Sequence, residues 1–192
     1  MPGQADPQKL DSFLQKNSLE LVGKIAKGWS SEIFLCRGKS GKLACLKALR
    51  GKSNRQDMVL REAENLALAN SAGVGPKLIG SDAECSFVSM EYIEGIPFSE
   101  WIFETPSKES LSVFIDELYK QAKALDKIGL DHGQLAGRGK NILVAKETGL
   151  PVIIDFEKAS PKRKCHNVKV LDSFLYRSKD SAIVKKVKEI LG

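Results

Sequence analysis

The chain has 192 residues, 42% of them hydrophobic and 28% charged, which is typical of a soluble globular protein with one domain or two small lobes. Its four cysteines form no C-x-x-C pair and its histidines number two, so the composition argues against a structural zinc site. No apolar run approaches the roughly 20 residues that span a bilayer, and the N-terminal segment lacks the apolar core of a signal peptide. We therefore expect a cytoplasmic protein without membrane association.

The first half of the chain predicts a short helix and then a small sheet with one helix inserted. Asp6 before Pro7 is typical of a helix N-cap and its first turn. From Leu19 to Leu49, short apolar runs separated by glycines predict three antiparallel strands. Apolar residues then recur at helical spacing over 55–70, and two further strands follow that helix.

The second half predicts a mainly helical region. We interpret Gly95–Pro97 as a hinge and Thr105–Pro106 as the opening of a long helix that Gly129 terminates. The remaining apolar runs predict two short strands and then two helices, over 141–144, 151–155, 168–175 and 183–191. The expected division is an N-terminal extension with a short helix, a first lobe, and a reduced second lobe with a basic tail, at 1–18, 19–94 and 95–192.

Two features of the first lobe are candidates for binding phosphate: a glycine-containing turn and a lysine in a predicted strand. The segment Ile25–Ile33 follows the pattern G-x-G-x-x-G-x-V with small residues in place of two of its glycines. Fourteen residues later, Lys47 ends the apolar run Ala-Cys-Leu-Lys. A lysine in an isolated strand would face solvent, because pointing it inward is costly. Glu62, however, lies beside the apolar stripe of the predicted helix, where it can reach the sheet and pair with Lys47.

Two motifs in the second lobe are the most informative. The run Asp-His-Gly-Gln-Leu at 131–135 is followed by Asn141 and an apolar strand. Fourteen residues after Asn141, a second apolar strand ends at Asp155, within Ile-Ile-Asp-Phe-Glu. Carboxylate oxygens are the ligands that a hard cation such as Mg²⁺ prefers.

The order and spacing of these motifs resemble those of the protein kinases. The 37 residues after Asp155 contain no A-P-E motif, so the chain is most similar to compact archaeal-type serine/threonine kinase homologues, to the RIO kinases and to the small kinase of the KEOPS assembly. The resemblance covers residues 19–175. It implies an α+β, minimal bilobal protein-kinase-like fold with a five-stranded antiparallel N-lobe sheet, one N-lobe helix and a reduced, mainly helical C-lobe.

The resemblance also implies an ATP- and Mg²⁺-dependent serine/threonine phosphotransferase that acts on a protein acceptor. Lys47 would hold the phosphates and Glu62 would orient that lysine. Asn141 and Asp155 would bind Mg²⁺, and Asp155 would also be a catalytic residue. Gln134 would position the acceptor. The other implied nucleotide contacts come from the phosphate-covering turn and the hinge strand, at Ala26, Gly28, Ser30, Ser31, Glu91 and Ile93.

Two departures from the kinase pattern leave alternatives open. Gln134 stands where the kinases have an aspartate, and the interval from Gln134 to Asn141 is two residues longer than in the motif. Glutamine cannot accept a proton at neutral pH, so the first alternative is a pseudokinase that binds nucleotide and acts as an interaction module. The second is an RNA- or ribosome-associated factor that uses the basic tail, since the net charge is +6 and lysines concentrate late in the chain.

Overall fold

The computed structural model describes residues 6–27, 31–49, 55–84 and 86–192. The chain divides into two compact units, whose described residues fall within Met1–Ala67 and Pro76–Tyr92 for the first, and Leu68–Gly75 and Ile93–Gly192 for the second. Within the described ranges there are six α-helices, a five-stranded antiparallel sheet and a three-stranded antiparallel sheet. The prediction of an α+β protein with a five-stranded antiparallel sheet is therefore confirmed.

The larger sheet belongs to the first unit and has the strand order β1-β2-β3-β5-β4. Its strands are β1 Leu19–Lys27, β2 Ser31–Gly38, β3 Leu43–Leu49, β4 Leu78–Asp82 and β5 Phe87–Glu91. Lys47 of β3 lies opposite Ile33 of β2 and opposite Val88 of β5. The lysine thus occupies a central strand, with a paired strand on either side.

One face of this sheet is covered by α1, Pro7–Lys16. The Asp6 side chain accepts a hydrogen bond from the Gln8 amide at 3.0 Å, which is the N-cap that the sequence predicts. The helix and the sheet form one core, made of Leu10, Phe13, Leu14, Phe34, Cys36, Ala44, Leu46, Ala48 and Phe87. Because side chains alternate along a strand, packing Leu46 and Ala48 against α1 turns Lys47 to the opposite face.

The helix α2, Arg55–Ser71, carries one buried stripe in the first unit. Val59, Ala63 and Leu66 recur at helical spacing on that stripe. Glu62 is also buried there, with 2% of its surface exposed. A charged residue is rarely so buried unless it is paired, which directs attention to its partner.

The second unit combines four helices with the smaller sheet. The helices are α3 Phe98–Trp101, α4 Lys108–Lys127, α5 Asn167–Asp172 and α6 Ala182–Leu191, and the strands are β6 Gly95–Pro97, β7 Ile142–Ala145 and β8 Pro151–Ile153, in the order β6-β7-β8. Its core includes the stacked rings of Phe98 and Phe114, 5.2 Å apart. No helix in the described part of the chain is long and apolar enough to cross a bilayer.

One segment of this unit has a regular structure that the sequence did not predict, and one predicted boundary differs from the structure. Gly95–Pro97, interpreted as a hinge, forms β6 against β7, and a Cβ at Gly95 would lie 2.3 Å from the Val144 carbonyl oxygen. Only glycine permits so close an approach. The long helix begins at Lys108 rather than at Thr105, because the Ser107 hydroxyl accepts the Ser110 amide at 3.1 Å and caps the helix there.

Candidate functional site

The first unit contributes a buried ion pair. Lys47 Nζ lies 2.9 Å from Glu62 Oε1, and the two side chains are 9% and 2% exposed. The strand places the lysine on the face opposite α1, and the helical stripe places the glutamate toward it. A lysine ammonium has three N–H donors, so its chemistry allows it to bind a carboxylate and an anion at the same time.

Cys45, two residues before Lys47 on the same face of β3, is the nearest nucleophilic side chain along the strand. Burial raises the pKa of its thiol to about 11, the Lys47 ammonium opposes that rise, and the Glu62 carboxylate adds to it. At neutral pH the group is therefore a thiol, which packs as a small apolar side chain.

Four of the other predicted nucleotide-binding positions in the first half are described by the structure, and they fall on strands or shortly after one. Ala26 lies in β1 opposite Ile33, and Ser31 is the first, buried residue of β2. Gly28 and Ser30 lie outside the described residues. Glu91 ends β5 with its amide donating to the Lys77 carbonyl at 2.8 Å, and Ile93, half-buried, follows in irregular backbone.

The second unit holds the loop that contains His132. This imidazole is fully buried, its Nε2 lies 3.0 Å from the Ile154 carbonyl, and its ring centroid is 4.9 Å from that of Phe156. The backbone amide of His132 donates to Asn167 Oδ1 at 2.9 Å. Since a carbonyl can only accept, Nε2 carries the proton, and the histidine ties its loop to the strand that ends at Asp155.

Burial also lowers the pKa of His132 below its usual value of 6.5, because a charged imidazolium would be desolvated. Its Nδ1 is buried without a hydrogen-bond partner among the described residues. The unfolded chain would take up a proton that the folded chain refuses, so we expect the free energy of unfolding to fall as the pH drops below about 6.5. Urea denaturation at pH 7.5 and 5.5 would measure the loss, and imidazole NMR would show that His132 titrates at a lower pH than an ordinary histidine. A His132 signal that titrates at its usual value would contradict this prediction.

Asn141 is oriented by the same loop. Its Nδ2 donates to the Gln134 carbonyl at 2.7 Å, and Oδ1 is the acceptor atom of the same side chain. Its backbone carbonyl accepts the Ile154 amide at 2.9 Å, so Asn141 and the residue before Asp155 are paired across adjacent strands. The sheet therefore brings these two predicted ligands to the same end of β7 and β8, and Gln134, whose carbonyl holds Asn141, is exposed.

The interval from Gln134 to Asn141, two residues longer than in the kinase motif, contains a tight glycine turn. Gly137 has φ +46°, and a Cβ there would lie 2.5 Å from Asn141 Nδ2. Gly139 has φ +79°, and a Cβ there would lie 2.9 Å from Ser99 Cβ. The longer interval is thus absorbed by glycines that allow the backbone to approach both Asn141 and α3.

Asp155 has left-handed backbone dihedrals, φ 66° and ψ 71°. A non-glycine residue in this region costs on the order of 1 kcal/mol, although aspartate tolerates it better than most. The next residue, Phe156, is buried and anchors the turn Phe156–Lys158. Asp155 is half-buried and follows the last strand of the smaller sheet.

The donor set of the second unit fits Mg²⁺. In the described part of the chain, no three His, Cys, Asp or Glu residues gather to hold a metal ion on their own. Mg²⁺ is usually bound through one or two protein oxygens together with substrate phosphates. One carboxylate, from Asp155, and one amide oxygen, from Asn141, match that requirement.

Sequence reasoning missed the groups that support this loop from a distance. Asp126 of α4 accepts the amide and the side chain of Asn167, at 3.1 and 2.8 Å, and Asn167 in turn holds the His132 amide. Arg163 contacts Asp131 through Nε at 2.8 Å. These residues are separated by more than thirty positions, and nothing in the local pattern signals that they meet.

The chain is similar to the crystal structure of the Rio2 kinase–ADP/Mg²⁺–phosphoaspartate complex from Chaetomium thermophilum, with a TM-score of 0.63 and 18% sequence identity. The match covers 96% of this chain and 65% of that chain, so this chain spans just under two thirds of the length of the Rio2 chain. No protein-family model matches the sequence, and no curated protein matches it. The structural likeness confirms the predicted protein-kinase-like fold.

Proposed function

We propose that the chain is an ATP- and Mg²⁺-dependent phosphotransferase of the atypical serine/threonine kinase type. The observation that carries the proposal is the buried Lys47–Glu62 pair at 2.9 Å. Burying two charges costs several kcal/mol, and an apolar pair of similar volume would serve the fold as well or better. A functional use for the charge would explain its presence, and holding phosphate is the use that the corresponding lysine has in the protein kinases.

Each remaining site residue has a role in the proposal. Glu62 fixes the position of the Lys47 ammonium, which binds phosphate oxygens as a point charge. Asn141 and Asp155 would hold Mg²⁺, which when bound neutralises charge on the phosphates. Ala26, Gly28, Ser30 and Ser31 would cover the phosphates, and Glu91 and Ile93 would contact adenine through the backbone. The acceptor would approach Gln134.

The proposal is tested by ligand-induced stabilisation and by phosphate transfer. We expect ATP with Mg²⁺ to raise the thermal midpoint, because a ligand that binds only the folded state stabilises it. Radiolabelled ATP should label the protein or a generic protein substrate. The Rio2 complex contains a phosphoaspartate, so the label should be tested with hydroxylamine. A hydroxylamine-resistant label indicates a hydroxyl acceptor, and a sensitive label indicates a carboxyl acceptor. No stabilisation and no label would refute the proposal.

Gln134 favours one alternative, a pseudokinase that binds nucleotide without turnover. Its amide can orient a hydroxyl group but cannot remove the proton.

We expect Gln134→Asp to raise turnover by about tenfold or more, because general-base catalysis contributes roughly 100-fold or more where it operates. The turnover of this variant should also depend on pH through a group that must be deprotonated. Gln134→Asn, which shortens the amide without adding a base, is the matched control. Equal gains in both variants would contradict the assignment of Gln134 to the acceptor site.

A further inference from the structure

The Arg163 guanidinium joins two segments that flank the candidate cation site. Its Nε donates to Asp131 Oδ2 at 2.8 Å, and its Nη2 donates to the carbonyl oxygens of Asp131 and Lys158, at 3.4 and 2.5 Å. The Asp131 side chain is 11% exposed. The backbones of Asp131 and Ser160 also pair in both directions, at 3.1 and 2.8 Å. The segment after Asp155 is therefore fastened to the loop before Asn141.

The guanidinium packs directly against the backbone of Gly133. The φ of this glycine is +76°, and a Cβ at this position would lie 2.4 Å from Arg163 Nη2 and 2.6 Å from the Lys158 carbonyl oxygen. Real Cβ contacts do not reach such distances, so the arginine lies in the space that any other residue at position 133 would fill. The glycine and the arginine form one fitted contact.

The contact continues to a predicted metal ligand. Gln134 follows Gly133, and its carbonyl oxygen accepts Asn141 Nδ2 at 2.7 Å. On the other side, Lys158 ends the turn that begins directly after Asp155. Arg163 therefore contacts both the segment that anchors Asn141 and the turn that follows Asp155.

We propose that Arg163 is a positioning residue of the cation site, which it holds through Asp131, Gly133 and the Lys158 carbonyl. The inference rests on the proposed function, since that function assigns Asn141 and Asp155 as the ligands. An arginine suits the role because its planar fork stays charged and donates in fixed directions, whereas a lysine offers a single point charge. Groups that orient metal ligands typically change metal affinity 10- to 100-fold when they are removed.

The test compares Arg163→Gln, Arg163→Lys and Lys164→Gln. Lys164 is the neighbouring exposed residue and has no ion pair within the described residues, so Lys164→Gln controls for the loss of one charge. We expect Arg163→Gln to weaken Mn²⁺ binding to the ATP complex by about tenfold, measured by electron paramagnetic resonance, and to leave ATP affinity in EDTA within about twofold. Arg163→Lys should be intermediate. In the protein without ligand, Arg163→Gln should shift the Asn141 side-chain amide resonances in NMR spectra, and Lys164→Gln should leave them in place.

Mn²⁺ affinities of Arg163→Gln and Lys164→Gln that agree within twofold, or an Asn141 amide that does not shift, would overturn the positioning role. If the wild-type protein binds no Mn²⁺ with ATP, the proposed function fails, and the ligand-free Asn141 signal still decides whether Arg163 holds that side chain. Should Arg163→Gln not fold, Asp131→Asn removes the charged acceptor and keeps the guanidinium. It should weaken Mn²⁺ binding in the same direction, and unchanged binding there would also overturn the role.

Discussion

Replacing Asp155 by asparagine is expected to abolish the Mg²⁺-dependent stabilisation by ATP and to lower phosphate transfer by at least about a hundredfold. The carboxylate is the only charged member of the proposed cation site, and an amide oxygen is a much weaker ligand for a hard cation. Asparagine has nearly the same size and tolerates left-handed backbone, which is the conformation at this position. The variant should therefore fold with a stability close to that of the wild type.

Thermal melts with ATP in the presence of Mg²⁺ or EDTA, together with labelling from radiolabelled ATP, measure both effects. Asp180→Asn is the matched control, since it makes the same exchange at an exposed residue. Mg²⁺-dependent stabilisation that survives in Asp155→Asn would exclude Asp155 as a ligand. Equal labelling of the wild type and Asp155→Asn would show that the label does not come from this site.

The elements with strong local signals could be predicted from the sequence. The cap at Asp6, the glycine-punctuated strands and the apolar stripe around Val59 each depend on neighbours within a few residues. The β6 strand could not be predicted, because Gly95–Pro97 pairs with a strand nearly fifty residues later and has no alternation of its own. The start of α4 was misplaced since Thr105–Pro106 and Ser107 both offer a plausible cap, and only the Ser110 contact separates them.

The candidate site shows the same division. Lys47 and Glu62 could be paired in advance because a strand and a following helix leave few faces on which they can meet. The contacts that support Asn141 could not be predicted, because they depend on the close approach of Gly133 to Arg163 and of Gly137 to the Asn141 side chain. Such contacts are set by tertiary packing. The sequence shows the glycine, but the reason for it is clear only once the residue that it contacts is known. Gly28 and Ser30 remain predictions outside the described residues.

The single variant Lys47→Met is expected to lower the free energy of unfolding by about 3–5 kcal/mol, because it leaves a buried Glu62 carboxylate without this ammonium. The double variant Lys47→Met/Glu62→Leu should recover most of that loss, since an apolar pair of similar volume packs at least as well as a buried ion pair. ATP binding should not recover with it, because the phosphate-binding charge is gone.

Urea denaturation gives the stabilities, and calorimetry with ATP and Mg²⁺ gives the binding. Lys16→Met is the control: Lys16 forms an ion pair with Asp82 at 3.3 Å but is 71% exposed, so its loss should cost less than about 1 kcal/mol and leave binding intact. A double variant that regains both stability and ATP affinity would mean that the Lys47–Glu62 pair serves the fold alone. A double variant that folds stably and binds no ATP would show the opposite: this chain keeps a buried charge pair that its core does not need, because the ligand does.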